Sequence, residues 1–203
     1  MARNLTSIAK MSRREGVQLH PKAAKVMARR AYTPGQHGQA RRPKPSDYAI
    51  QLREKQKTKR LFGVMEKPFR RYVAEATRRD GVTGENLLRL LETRLDNTVY
   101  RLGLAPARPA ARQLVSHAHI RVNDKKVTIP SYQVKPGDVI TVKAGSLKSP
   151  LFSELADALK TYEQPSWLKL DAKKLTGTVT GLPVRADSDQ FIEEQLIIEF
   201  YSR

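Results

Sequence analysis

RLDNTVYRLGLAPARPAARQLVSHAHIRVNDKKVTIPSYQVKPGDVITV, residues 94 to 142, is the stretch that decides the fold. It opens with two short helical patterns and then changes to strand periodicity. In the first pattern Arg94, Asn97 and Arg101 stand at i, i+3 and i+7 and share one face, while Leu95, Val99 and Leu102 share another. The second repeats the division, with Arg108, Arg112 and Ser116 in one row and Ala111, Leu114 and Val115 in the row to be buried. Asp96 reads as the cap of the first helix and Gly103 as its end. Pro109 suits the start of the second, where a missing N–H costs no hydrogen bond. After His119, Ile120, Val122 and Val127 alternate with polar residues around Asn123-Asp124, a pair that tolerates the left-handed backbone of a tight hairpin. Pro130 and Pro136-Gly137-Asp138 punctuate two further strands, Tyr132 to Val134 and Val139 to Val142. A module that separates basic from apolar rows can lie on a nucleic-acid backbone while burying its other side.

Upstream the pattern is helical. Ser46 caps a helix carrying Tyr48, Leu52, Leu61 and Phe62, ended by Gly63. Pro68 opens a second helix with Phe69, Tyr72, Val73 and Ala76 on one side and Gly81 beyond its end. Thr83 begins a third, whose Leu87, Leu88, Leu90 and Leu91 make the core of a small helical domain. Arg53, Lys57, Arg70 and Arg71 lie between these apolar positions, in excess of the neighbouring acids. Residues 1 to 45 hold 11 basic side chains and one acid, Glu15, with weak apolar periodicity. By its residues such a segment reads equally as a flexible, Gly-containing connector or as a basic arm that orders only along RNA phosphates, with Pro34-Gly35 and Gly38 allowing tight turns. Downstream, Ser153 reads as the cap of a helix with Phe152, Leu155, Ala156 and Leu159 on one face, and Trp167, Leu168, Leu170 and Val179 complete the sheet-bearing domain. The terminal FIEEQLIIEFYSR fits strand or helix equally well by spacing.

Composition agrees with a polyanionic partner. There are 38 Lys and Arg against 20 Asp and Glu, a net charge of +18. Residues 1 to 150 hold 32 basic and 11 acidic side chains, whereas residues 151 to 203 hold 6 and 9. The last quarter is therefore suited to packing or to meeting another protein. Without cysteine there is neither a disulfide framework nor a thiolate metal site. His117 and His119, two apart, do not have helical ligand spacing, so no metal and no cofactor is expected. Apolar runs such as Leu196 to Ile198 fall far short of the roughly 18 residues of a membrane span.

Beyond these patterns the chain resembles, over nearly its whole length, the S4 family of bacterial small-subunit ribosomal proteins, and residues 94 to 142 resemble the S4-type RNA-binding domain. The likeness rests on SRREGVQL at 12 to 19, YTPGQHGQ at 32 to 39, QLREKQK at 51 to 57 and GVTGENLLRLLETRLDNTVYRLGLA at 81 to 105. It continues through ARQLVSHAHIRVNDKKV at 111 to 127, PSYQVKPGDVI at 130 to 140 and EEQLIIEFYSR at 193 to 203, in the family's order. Many members carry a zinc-binding cysteine knuckle near the N-terminus. This chain has Ala9, Ser12 and Val26 in that stretch and resembles the cysteine-free branch, so zinc is not carried over.

The resemblance implies an α+β fold: a basic extended N-terminal arm (1–45), a small helical domain (46–93) completed by the C-terminal segment 186–203 as a helix, and an S4-type domain (94–185) of two helices packed on a mainly antiparallel sheet. It implies a structural constituent of the small ribosomal subunit in the cytoplasm, not an enzyme, present as a monomer within the ribosome and away from membrane. It further implies a primary binder of 16S rRNA that nucleates assembly of the 30S body, contacts ribosomal protein S5 and other small-subunit proteins, and influences translational accuracy. The RNA face is expected at Arg94, Asn97, Arg101, Arg108, Arg112, Gln113, Ser116, His117, His119, Arg121 and Lys125, extended by Lys22, Arg29, Arg30, His37, Arg41 and Arg42 and by Arg53, Lys57, Arg70 and Arg71. Two rival readings are an RNA-modifying enzyme of the pseudouridine synthase kind and a free-standing S4-domain factor acting on ribosomes outside the mature subunit. The first needs a catalytic domain with an essential aspartate, for which too few residues follow the module. The helical domain and the arm argue against the second.

Overall fold

The computed structural model describes residues 6–40, 44–147, 149, 152, 155, 159 and 162–203. Among them are eight α-helices and five strands. The helices are α1 (Ile8–Glu15), α2 (Ala24–Arg29), α3 (Asp47–Leu61), α4 (Glu66–Arg78), α5 (Thr83–Glu92), α6 (Leu95–Arg101), α7 (Arg108–Ser116) and α8 (Glu194–Tyr201). The strands are β1 (Ile120–Val122), β2 (Lys125–Lys126), β3 (Val139–Val142), β4 (Leu168–Asp171) and β5 (Thr176–Val179). The chain forms two compact units, one of Met1–Leu87 with Gln190–Arg203 and one of Leu88–Asp189. Among the described residues no helix is long and apolar enough to cross a membrane.

In the first unit Ser46 Oγ accepts the Ala49 N–H at 3.3 Å and starts α3. α4 begins two residues before Pro68, which sits in the first turn where no intrahelical N–H is lost. The terminal segment is the helix α8, lying along α3. There the Glu193 N–H donates to Glu54 Oε1 at 2.9 Å and Gln51 Nε2 donates to Glu199 Oε2 at 3.0 Å. The Lys55 ammonium sits 4.3 Å from the Phe200 ring centre, and Ile192 and Ile197 are fully buried.

The N-terminal segment, expected to be extended, is not so throughout, since α1 and α2 form within it. Polar contacts of α1, to which apolar spacing is blind, take part in holding it, and the apolar Ala23 before α2 is fully buried. The Leu19 N–H donates to the buried Ser12 Oγ at 3.3 Å. Arg13 donates to the carbonyls of Tyr32 at 2.8 Å and Thr33 at 3.3 Å while its guanidinium lies 4.8 Å from the Tyr32 ring centre. Gly38 is required because a Cβ there would run into the Thr33 carbonyl.

The second unit is a five-stranded antiparallel sheet in the order β2-β1-β3-β5-β4, with α6 and α7 over one face. Asn123 and Asp124 turn the β1–β2 hairpin at φ of 49° and 60°. Inward-facing Ile120, Val122, Ile140, Val142, Leu168 and Val179 meet Leu95, Val99, Leu102, Ala111, Leu114 and Val115 in one core, with Trp167 at 2% exposure. Phe152 and Leu159 join it, while the Ser153 cap and Ala156 lie outside the described residues.

Two expectations are corrected here. Tyr132 to Val134 is not a strand of the sheet, because its hydrogen bonds go to the segment before α6. The Val134 N–H donates to the Thr93 carbonyl at 2.9 Å, the Leu95 N–H to the Tyr132 carbonyl at 2.8 Å and the Asp96 N–H to the Pro130 carbonyl at 3.1 Å, around a lone bridge between Arg94 and Gln133. For the same reason Asp96 is not the cap. It lies in the first turn, Arg94 holds the extended cap position, and the leading N–H groups of α6 are satisfied by carbonyls of the 130–132 loop.

Leu102, just past α6, packs onto Gly177 of β5, where a Cβ would overlap its side chain. Gly177→Val is expected to lower the stability of the second unit by about 1–3 kcal/mol through overpacking, read as a lower denaturation midpoint at unchanged slope.

Candidate nucleic-acid interface

The arginines of α6 and α7 are organised around carboxylates. Asp96 accepts Arg94 in a forked pair, Nε to Oδ1 at 3.0 Å and Nη2 to Oδ2 at 2.6 Å, and Arg112 Nη1 approaches the same Oδ2 at 3.2 Å. Glu92, at the end of α5, is fully buried and accepts Arg101 Nε at 3.0 Å and Nη2 at 2.7 Å, together with Asn97 Nδ2 at 2.6 Å. Arg108 Nε donates to Asn97 Oδ1 at 2.8 Å and its Nη2 to Asp189 Oδ2 at 2.7 Å, while Arg101 Nη2 lies 3.3 Å from that oxygen. Glu92, Asn97, Arg108, Asp189 and Arg101 thus close a ring. Burial opposes the Arg101 charge, but the hydrogen bond to Glu92 outweighs it and holds the guanidinium pKa above its ordinary value. Arg108 also stacks over Tyr100, 4.7 Å from the ring centre.

This arrangement corrects the expected RNA face. Asn97 and Arg101 both reach Glu92, whereas Arg94 holds the extended cap before α6 and reaches Asp96, and these groups are covered: Arg94 is 3% exposed and Asn97 2%. Their polar groups serve the protein interior, as do most of those of Arg101 and Arg108, whose side chains are 14% and 11% exposed. Arg112, at 30%, is half open. Gln113, Ser116, His117, Arg121 and Lys125 are exposed. His119 is half-buried, its Nδ1 2.9 Å from Ser146 Oγ and its ring stacked 6.3 Å from that of His117.

In the first unit Lys57 is also consumed internally, paired with Glu54 at 2.6 Å and donating to the Phe191 carbonyl at 2.7 Å. Arg53, though 43% exposed, pairs at 3.3 Å with Glu15, which Arg60 also holds. Burial pushes the Glu15 carboxyl above its usual range against the pull of those two arginines. Arg70 and Arg71 are exposed and, with Glu66, Lys67 and Ala74, line an open groove of about 450 Å³ on α4. Lys22, Arg29, Arg30 and His37 are exposed, and Arg41 and Arg42 lie outside the described residues. Glu66 accepts Lys55 at 3.0 Å, Lys59 at 2.8 Å and the Tyr201 hydroxyl at 2.8 Å. Its partial burial works against ionisation, yet these bonds to Lys59, Lys55 and Tyr201 hold its pKa at about 2 rather than 4.5. The same carboxylate, after burial, raises the Tyr201 phenol.

Sequence reasoning overlooked Glu92, Asp96 and Asp189 as organising groups. Glu92 and Asp96 sit four residues apart on either side of Arg94, a spacing that puts acids within reach of the basic row. Asp189, far along the chain, gave no such sign.

A two-helix cover on an antiparallel sheet, with an outer rim of cations left over from internal pairing, defines an S4-domain protein of RNA-binding type. Residues 3–92 match the family model described as Ribosomal protein S4/S9 N-terminal domain, and residues 93–140 match the S4 domain. The chain is 52% identical to the small ribosomal subunit protein uS4 of Heliobacterium modesticaldum, 50% to that of Syntrophomonas wolfei and 52% to that of Chloroflexus aurantiacus, in each case over 100% of both chains. The chain belongs to the uS4 family of small ribosomal subunit proteins. This family is structural rather than enzymatic, which removes the RNA-modifying alternative.

Removing Arg94 would break the forked pair and leave the buried Asp96 carboxylate to Arg112 and the Asn97 N–H, so Arg94→Ala is expected to cost about 3 kcal/mol of unfolding free energy, whereas Gln113→Ala should stay within about 0.5 kcal/mol. Because the folded-state pKa of Glu66 is depressed, its contribution is complete above the usual 4.5 and is lost as pH falls toward about 2. Acid titration of stability in Glu66→Gln should therefore be flatter across that window than in the parent.

Proposed function

We propose that this chain is a constituent of the small ribosomal subunit that binds 16S rRNA directly, nucleates assembly of the 30S body, and, with ribosomal protein S5, influences translational accuracy. The observation that carries the reading is the full-length likeness to uS4 proteins combined with what the cations do in the structure. Once the buried arginines are paired, the remaining basic and polar groups point outward.

In the second unit the proposed RNA contacts are Arg112, Gln113, Ser116, His117, Arg121 and Lys125, with His119 orienting the histidine pair and Arg101 and Arg108 presenting only their edges. Arg94 and Asn97 act from beneath, fixing the shape of that surface. In the first unit Arg70 and Arg71 on α4 and Lys22, Arg29, Arg30 and His37 near the N-terminus supply further contacts, while Arg53 and Lys57 serve packing. Such a set suits A-form RNA, whose deep groove hides base edges and leaves phosphates and 2′-hydroxyls to be read.

The test is binding of the full chain to 16S rRNA fragments over a salt series. Replacing Arg121 and Lys125 together with Ala is expected to weaken binding and to reduce the log–log salt slope by roughly 0.7 to 0.9 per charge removed. A slope identical to the parent's would refute the assignment.

A further inference from the structure

Among the described residues of this unit, α6 and α7 cover one face of the sheet. The strand register places Lys126, Arg121, Thr141, Thr176 and Asp171 side by side across all five strands, and Val139, Thr178 and Lys169 beside one another in a second row on the same face. Their burial alternates cleanly with that of the core residues. Ile120, Val122, Ile140, Val142, Gly177, Val179 and Leu168 are buried, whereas Arg121, Lys126 and Lys169 are exposed and Thr141, Thr176 and Thr178 are half-exposed. The Asp171 carboxylate at the far edge accepts the Lys173 and Lys174 N–H groups at 3.0 and 3.2 Å, so it is engaged by its own turn.

We propose that this open sheet face, through Lys126, Thr141, Thr178 and Lys169, is a second contact surface for the sugar–phosphate backbone of RNA, continuous with the hairpin contacts at Arg121 and Lys125. The inference rests on the rRNA reading, which already uses Arg121 of this face, and extends it across the sheet to Lys126, Thr141, Thr178 and Lys169. Three chemical facts favour RNA as the occupant. The face carries cations at both lateral ends, Lys126 and Arg121 on one side and Lys169 on the other. Between them stand threonine hydroxyls, short groups that both donate to phosphate oxygens and exchange hydrogen bonds with ribose hydroxyls. The face is also poor in apolar and aromatic surface, with Val139 alone among the paired outward residues, unlike the anchor-rich centre of a protein–protein interface. Four interstrand steps separate β2 from β4, about 19 Å, enough for one backbone to cross several phosphates.

Lysine acetylation of the full chain, free and bound to 16S rRNA, tests the proposal. Lys126 and Lys169 should label several-fold more slowly in the RNA complex. The double variant K126A/K169A should keep the parent melting temperature, bind more weakly and lose salt slope by roughly two charges' worth, and K126R/K169R should restore both. Free-protein labelling rates in a complex whose parent slope is intact would overturn the proposal and leave the rRNA reading standing. Absence of salt-dependent binding by the parent would remove the reading and the proposal with it. Shielding that arises only on adding other small-subunit proteins would equally overturn it, since a protein would then be the occupant.

Discussion

Two buried carboxylates, Glu92 and Asp96, set the terms for the rest of the sheet-bearing unit. A chain with a large positive charge must bring arginines together to present them to a polyanion, and mutual repulsion resists that. Placing Glu92 and Asp96 beneath α6 and α7 compensates the charge from inside. The helices can then carry four closely spaced guanidiniums, because each of these carboxylates, with Asp189, holds them in fixed forks rather than leaving them to repel one another. The surface proposed for RNA is consequently built in two tiers, an inner one that fixes geometry and an outer one left exposed.

That tiering explains which parts of the molecule could be read in advance. The helices α3 to α7, the hairpin at Asn123-Asp124 and the strands β1 and β3 follow from apolar periodicity and from residues with strong backbone preferences, both written locally. The terminal helix α8 could not be chosen by spacing, since FIEEQLIIEFYSR suits either period. What fixes it is its seat on α3 through Gln51, Glu54 and Lys55, a partner more than a hundred residues away. The same limit applied to Tyr132 to Val134, whose alternation was sound but whose hydrogen bonds were already claimed by Thr93 and Leu95.

The candidate site was legible in composition more than in detail. Helical spacing placed Arg94, Asn97 and Arg101 on one side of α6, and of these Asn97 and Arg101 meet at Glu92 while Arg94, at the extended cap, turns to Asp96. Spacing carries no information on whether a polar side faces water or a buried acid, and that distinction separates Gln113 and Arg121 from Arg94 and Asn97. Histidine 119, half-buried against Ser146, falls between the two classes.

The first unit is assembled from both ends of the chain, with α8 packed on α3, whereas the second is one continuous stretch, Leu88–Asp189. The sheet-bearing unit needs only its own stretch of chain, but the helical unit, begun first, lacks its last wall until Ile197 and Tyr201 are in place. A chain of this protein trimmed at its C-terminal end thus keeps every strand of the sheet-bearing unit and loses the wall of the unit that was begun first.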